Sequence, residues 1–454
     1  MTEAQPSPSA ADLRGLFPHD FVWGVATSAY QIEGAVLADG RAASIWDTFC
    51  REPGRVANGD NGDVACDHYH RWAEDIGLLA DLGVAAYRFS VAWPRVMPSG
   101  TGRVNRRGLD FYDRLVDGLL EHGIAPTVNL YHWDLPQALQ DRGGWANPSI
   151  VGWFGDYAAA VAGRLGDRVT SWMTLNEPQV FTFLGHATGE HAPGLRDWPT
   201  ALIAAHHALA AHAAAARAIR ASAQAPRIGI AIDVTHAVPA TDRDEDRQAT
   251  ALWCAARHGW FLDPLFGRGY PSLALEAHAA AGHLERLVLG EVPNGELDYL
   301  GINYYFRQTI SARPTEPLRP FIEPPARAEL TEMGWHVDPG GLALVLRDLH
   351  ERYAPADTVV TENGAAYPDR PPRRPAGQVD DADRRSYLAR HVLALADARA
   401  AGVPVSGYHV WSLLDNFEWS SGYGRRFGIV HVDFASQRRQ PKASFDWYRQ
   451  LIRG

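Results

Sequence analysis

Two strings, SWMTLNEP at 171–178 and TVVTENG at 358–364, decide how this chain is read. Each opens on a short strand-like run, SWMTL over 171–175 and TVVT over 358–361, and each run leads directly to a carboxyl side chain, Glu177 or Glu362. Six more runs of this kind occur: FVWGVA (21–26), AAYRFS (85–90), APTVNLY (125–131), RIGIAID (227–233), LDYLGIN (297–303) and VSGYHVW (405–411). Largely continuous apolar runs bounded by polar residues fit strands covered on both faces, as in parallel sheets. Helical patterns lie between them over 68–83, 107–123, 200–221, 339–353 and 382–402. Strands alternating with helices pair in parallel through right-handed crossovers, and eight such units predict an α/β fold, a single (β/α)8 TIM barrel with elaborated loops at its C-terminal face. A doubly wound open sheet is the rival, but no Gly-rich phosphate turn follows the first strand. Asp67 is expected to cap the first helix, and Gly83 and Gly123 to end the first and second.

Bulk properties narrow the function. The 454 residues are 46 % hydrophobic and 21 % charged, enough for one large core over 16–454, with 1–15 expected as a disordered polar tail. A formal charge of −10 argues against a nucleic-acid or anionic-membrane partner, which needs a basic face. Cys50, Cys66 and Cys254 form neither an even disulfide set nor a metal-type spacing, so a reducing, cytoplasmic setting is expected. No secretory pattern opens the chain and no run reaches membrane-spanning length. Lys442 is the only lysine, read as compositional bias. Two Pro-rich stretches, 312–330 and 367–383, follow strands six and seven and are expected to wall part of the barrel mouth. Neither a metal nor a cofactor is expected, and homo-oligomerisation is left open.

The strand ends carry the chemistry. Arg88, His132, Asn176 with Glu177, Asn303 with Tyr305, Glu362 and Trp411 all fall at or just beyond the C-terminal ends of predicted strands, where such barrels gather their reactive groups. A single glutamate in a loop is ordinarily solvated; six strand ends carrying such groups form a pattern. Two carboxyls facing one bond are what hydrolysis of a glycoside requires, one to protonate the leaving oxygen and one to attack or steady the sugar cation. Arg88 by charge and Tyr305 by hydrogen bonding suit holding one carboxyl ionised, while a carboxylate neighbour keeps a proton on the other. Asn176 suits a sugar 2-hydroxyl. Gln31 and His132 are of the type that orients hydroxyls. WSLLDNFEWSSGYGRRFG (411–428) adds Trp411, Glu418, Trp419 and Phe427, a carboxylate among aromatic faces of the kind that cover a pyranose. No HExxH, P-loop or GxSxG pattern competes.

FVWGVATSAYQIEG (21–34), YRFSVAWPR (87–95), NLYHWDLPQAL (129–139), TLNEP, GINYY (301–305), TENG and WSLLDNFEW with RFG occur in the order of glycoside hydrolase family 1, the β-glucosidase family, and the chain resembles it from about Phe17 to Arg453. The resemblance implies a retaining β-glycosidase in which Glu177 is the acid/base and Glu362 the nucleophile, steadied by Arg88 and Tyr305. It also implies that Gln31, His132, Asn176, Asn303, Trp411, Glu418 and Trp419 bind the glycone with Phe427 nearby, that Trp335 is the aglycone platform, and that the Trp411–Ser412 peptide is cis. The intact Glu418–Trp419 pair departs from the phosphosugar-specific members, and Glu177 from the thioglucosidases. The substrate expected is a small β-glycoside. A transglycosylase or a β-galactosidase/β-fucosidase with the same machinery is the enzymatic rival, and a non-catalytic carbohydrate-binding barrel the remote one.

Overall fold

All eight predicted runs are strands: β1 (Val22–Ala26), β2 (Ala86–Ser90), β3 (Ala125–Tyr131), β4 (Ser171–Asn176), β5 (Arg227–Asp233), β6 (Tyr299–Asn303), β7 (Thr358–Asn363) and β8 (Val405–Trp411). The structure is a computed structural model that describes residues 9–288, 290, 297–316, 319–322, 324–369 and 378–454. Neighbours in sequence pair in parallel and β1 closes on β8, giving a closed barrel in the order β1-β8-β7-β6-β5-β4-β3-β2. The fold is a (β/α)8 barrel.

The register breaks at strand ends that carry chemistry, and also at the start of β7, where its pairing with β8 shifts between Thr358 and Val359. Pairing of β4 with β5 shifts between Met173 and Asn176, and that of β7 with β6 between Val360 and Glu362. Such irregularities re-aim the side chains that follow them. Both precede a glutamate. Gly24 of β1 is required by packing: a Cβ there would overlap the His409 ring, which fills the barrel beside it.

The helices around the barrel include α1 (Ala10–Arg14), which precedes it, then α2 (His68–Leu82), α3 (Arg106–Glu121), α4 (Ile150–Leu165), α5 (Trp198–Ser222), α6 (Asp244–Cys254), α7 (Pro339–Tyr353), α8 (Ala382–Ala400) and, after the last strand, α9 (Ala443–Arg453). α1 falls inside the stretch expected as a tail. Ser9 and Asp12 form a reciprocal capping box and Leu13 is buried, so local hydrogen bonding and one apolar anchor order it; residues 1–8 lie outside the described residues. Asp67 does precede α2, but its φ of 52° turns the carboxylate away from the helix amides and onto His70 Nδ1 at 2.6 Å, so it does not cap. Gly83 ends α2 at a φ of 83°, and Gly123 follows the end of α3 at 70°. Sequence periodicity missed α4, in IVGWFGDYAAAVAGRL, because its apolar residues run all round and three glycines interrupt them. It is stabilised by packing on α5, whose buried alanines (Ala201, Ala204, Ala208, Ala211, Ala215) allow close approach.

The Pro-rich stretches lie partly outside the described residues, and their described parts do not line the barrel mouth. Glu329 pairs with Arg390 of α8 at 2.6 Å, and Asp369 with Lys442 at 2.8 Å. Met333 and Trp335, just beyond the first stretch, do reach the mouth. No helix of the described residues is long and apolar enough to cross a membrane.

Candidate active site

The two glutamates come together at the C-terminal mouth. Glu362 is the last-but-one residue of β7, and Glu177 follows β4 directly, with its amide donating to Ala231 O of β5 at 2.8 Å. Pro178 begins the next helix and cannot extend the ladder, so the chain turns at Glu177, which sits at a φ of 49°. Trp133 (77°) and Trp419 (48°) share this left-handed backbone, rare for bulky residues, and all three line one cavity.

Glu362 is gripped on both oxygens. Arg88 Nη1 donates to Oε1, and Tyr305 OH to Oε2 at 2.5 Å. Arg88 Nη2 also donates to Asn176 Oδ1 at 2.6 Å. Asn303 Nδ2 reaches Asn176 Oδ1 at 3.0 Å and Glu177 Oε1 at 2.7 Å, while its own Oδ1 accepts from Thr361 Oγ1 at 2.6 Å. Asn303 therefore bridges the two halves, and its orientation is determined by what each of its atoms can donate or accept. Asn176 Nδ2 donates to His132 Nε2 at 3.2 Å; burial and the nearby Arg88 keep that ring neutral, so it can accept.

The carboxyls have unlike proton affinities. Burial raises Glu177 well above the usual carboxylate range, and the charges of Glu362 and Asp233 raise it further. Burial also raises Glu362, but Arg88 and the hydrogen bonds from Tyr305 and Arg88 oppose it. Of the coupled pair, Glu177 holds the proton and Glu362 the charge.

Above them opens a cavity of about 660 Å³, lined by Glu177, Tyr305, Trp335, Glu418 and Trp419 among the predicted residues. That is room for a disaccharide-sized ligand. The remaining predicted residues are joined to these by direct contacts. Gln31 Nε2 donates to Phe417 O at 2.9 Å and to Glu418 Oε2 at 3.5 Å, and Ser28 holds its other end at 2.6 Å. Burial and the charge of Glu362 push Glu418 up to about 8. Trp411 stacks on His132 with ring centres 5.7 Å apart, and Phe427 contacts both Tyr305 and Trp335 at 6.2 and 6.0 Å. The Trp411–Ser412 peptide is cis. Thus all thirteen predicted residues belong to one connected site; Trp335, stacked on Phe306, forms its outer wall.

Sequence reading missed Asp233, Arg257, Trp133 and Trp253, which also line the cavity. Asp233 ends β5, the same kind of position that singled out the glutamates, so a signal was present. Arg257 lies in a helix-like segment and carried none. The described potential metal donors that cluster are Asp369, Asp415 and His431, within 4.8 Å of one another. Lys442 already binds both carboxylates at 2.8 Å, and Arg426 binds Asp415 at 2.7 Å, so cationic side chains compensate their charge.

A barrel whose mouth sets a charged carboxyl beside a protonated one, under a cavity with aromatic walls, defines a glycoside hydrolase as its class. More particularly, a family model described as "Glycosyl hydrolase family 1" matches residues 13–454, and the chain belongs to that family. It is 46 % identical over 440 residues to Beta-glucosidase A of Thermotoga maritima, covering 96 % of this chain and 98 % of that one. It is 43 % identical over 457 residues to a bifunctional beta-D-glucosidase/beta-D-fucosidase of Bifidobacterium breve, covering 96 % and 98 %. The solved structure of a beta-glucosidase from Thermotoga maritima in complex with glucoimidazole superposes with a TM-score of 0.91 at 45 % identity, covering 96 % of this chain and 98 % of that one.

Proposed function

We propose that the protein is a retaining β-glucosidase that removes terminal non-reducing β-D-glucosyl residues from disaccharides, short oligosaccharides or aryl glucosides. The observation that carries this reading is the paired grip of Arg88 and Tyr305 on Glu362 beside a glutamate raised by burial. Glu362, kept ionised, attacks the anomeric carbon while Glu177 gives its proton to the leaving oxygen. As the glycosyl-enzyme forms, the charge on Glu362 disappears, Glu177 loses the repulsion it felt, and it becomes the base that takes a proton from water. Asn176, held by Arg88, Asn303 and His132, presents its amide where a 2-hydroxyl would lie. Gln31, His132, Asn303, Trp411, Glu418 and Trp419 hold the glycone, with Phe427 beside them and Trp335 under the aglycone. Glu418, largely protonated when no sugar is bound, is suited to donate as well as accept hydrogen bonds. The similarity to a bifunctional relative supports tolerance of β-D-fucosides as a second reading.

Three unpaired cysteines support a cytoplasmic site of action on the β-glucosyl disaccharides that cellulose breakdown releases. The test is the stereochemistry of the first product, read by proton NMR: β-glucose is expected, and α-glucose would sink the mechanism. Glu362→Ala should lose at least about 10⁴-fold in kcat, and azide added to it should yield the α-glycosyl azide. Glu177→Gln should slow poor leaving groups far more than dinitrophenyl glucoside.

A further inference from the structure

Asp233 is a buried carboxylate with no part in the mechanism above, 6 % exposed and on the wall of the same cavity as Glu177. It ends β5, the strand next to β4. The Glu177 amide bonds to Ala231, two residues before Asp233 and on the same face of β5. On the other side of β5, Asp233 is in register with Asn303 of the neighbouring strand β6, the residue that bonds Glu177 Oε1. Gln179 Nε2 fixes its carbonyl at 2.6 Å, and Arg257 Nη2 holds its Oδ2 at 3.1 Å. Arg257 lies on the cavity wall as well.

A merely structural reading makes this pair a tie between the top of β5 and the segment Ala255–Gly259. Burying a carboxylate against a half-buried guanidinium for that purpose is a poor device, since desolvation of the carboxylate offsets much of the attraction. A single contact at 3.1 Å also leaves much of the Asp233 field directed at its neighbours. The titratable and charged groups arranged around Glu177 are Glu362 of β7, Asp233 of β5, Arg88 of β2, and Arg257 and Glu190 on the cavity wall, with Glu418 after β8 raised to about 8. Tyr305, His132 and His191 are neutral; burial holds His191 down to about 4. Glu362 loses its charge once the glycosyl-enzyme forms, whereas Asp233 forms no bond to the sugar; burial raises its proton affinity and the Arg257 guanidinium opposes that rise.

We propose that Asp233 is a positioning residue for the catalytic proton: its buried negative charge, anchored by Arg257, keeps the Glu177 carboxyl protonated in the resting enzyme. This rests on the reading of Glu177 as proton donor. A like charge beside an acid disfavours its ionised form, so removing that charge lets the proton leave at lower pH.

The test is the pH profile of kcat/KM on a β-glucoside with a poor leaving group. Asp233→Asn should move the alkaline limb down by about 0.5–1 pH unit, and Asp233→Glu should restore it. Asp233→Ser carries the same expectation should the asparagine variant not fold. An active charge-removed variant with an unmoved alkaline limb overturns the inference, however far kcat falls. Glu177→Gln separates this from failure of the underlying reading. If that variant lacks the alkaline limb while Asp233→Asn leaves it in place, Asp233 alone is misassigned; if the limb persists in Glu177→Gln, the donor is another group and the inference falls with it.

Discussion

Tyr305 and Arg88 reach Glu362 from different strands, one just past β6 and one within β2, and each stabilises the charged form by an independent contact. A hydrogen bond to a charged group contributes about 1.5–3 kcal/mol, more than a neutral one. Tyr305→Phe keeps the ring contacts with Trp335 and Phe427 and removes only the donor. Its kcat/KM should fall about 10–100-fold, a range that corresponds to that loss. The acid limb should move to higher pH, because the ionised carboxyl loses a partner that lowers its proton affinity. A fall in activity without movement of that limb would make Tyr305 a packing residue. The glycine of TENG answers a different constraint: a Cβ on Gly364 would overlap the Trp411 carbonyl oxygen, so this position allows the strand end carrying Glu362 to approach the one carrying Trp411.

The segment 411–428 brings Trp411, Glu418, Trp419 and Phe427 to the site, and its path depends on a buried charge cluster behind it. Lys442 Nζ, fully buried, donates to Asp369 Oδ1 and Asp415 Oδ1, both at 2.8 Å. Asp415 Oδ1 also accepts from the Gly428 amide at 3.0 Å, beside Phe427, and Arg426 Nη1 bonds Asp415 Oδ2 at 2.7 Å. The only lysine of the chain is therefore a structural cation rather than a compositional remnant. Removing one partner of a buried pair leaves an uncompensated charge, at a cost of about 3–5 kcal/mol. Lys442→Met should accordingly lower the denaturation midpoint with a matching loss of stability, measured by guanidinium unfolding. It should also raise KM for glucosides, since Phe427 and the Glu418 loop lose their backing. A variant as stable as the parent would show that Asp369 and Asp415 find other partners.

At the scale of the whole molecule, stability follows the protons that folding excludes or retains. Burial holds His258, His391 and His409 near 3, His186, His191, His212 and His278 near 4, and His132 well below its ordinary value. An unfolded histidine takes its proton near pH 6.5, so below that the unfolded chain binds more protons and stability falls as pH falls. Asp134 and Glu418, raised to about 8, and Glu177, Glu362 and Asp233, also raised, act in the opposite sense: they lose stability as pH climbs from about 4 through their folded values. These eight histidines, with His206, His207, His283 and His336 also lowered, outnumber the five raised carboxyls below pH 6.5, and between pH 6.5 and about 8 the carboxyls prevail. The melting temperature should therefore peak near neutrality and drop by at least about 5 °C between pH 7 and pH 5. A melting temperature that rises steadily on acidification would mean that the carboxyls outweigh the histidines.

The sequence by itself determined the eight strands, their alternation with helices and the placing of both glutamates at strand ends, because these are matters of local pattern: apolar runs of strand length, and a polar residue where each run stops. TLNEP, TENG and the 411–428 segment were legible for the same reason, each being continuous in the chain. What only the tertiary structure decided are properties of groups distant in sequence. Asn303 links the two carboxyls, Arg257 meets Asp233, Lys442 meets Asp369 and Asp415, and α4 is a helix because α5 covers it. Above all, which glutamate keeps its proton depends on burial and neighbouring charge, and these exist only once the barrel has closed.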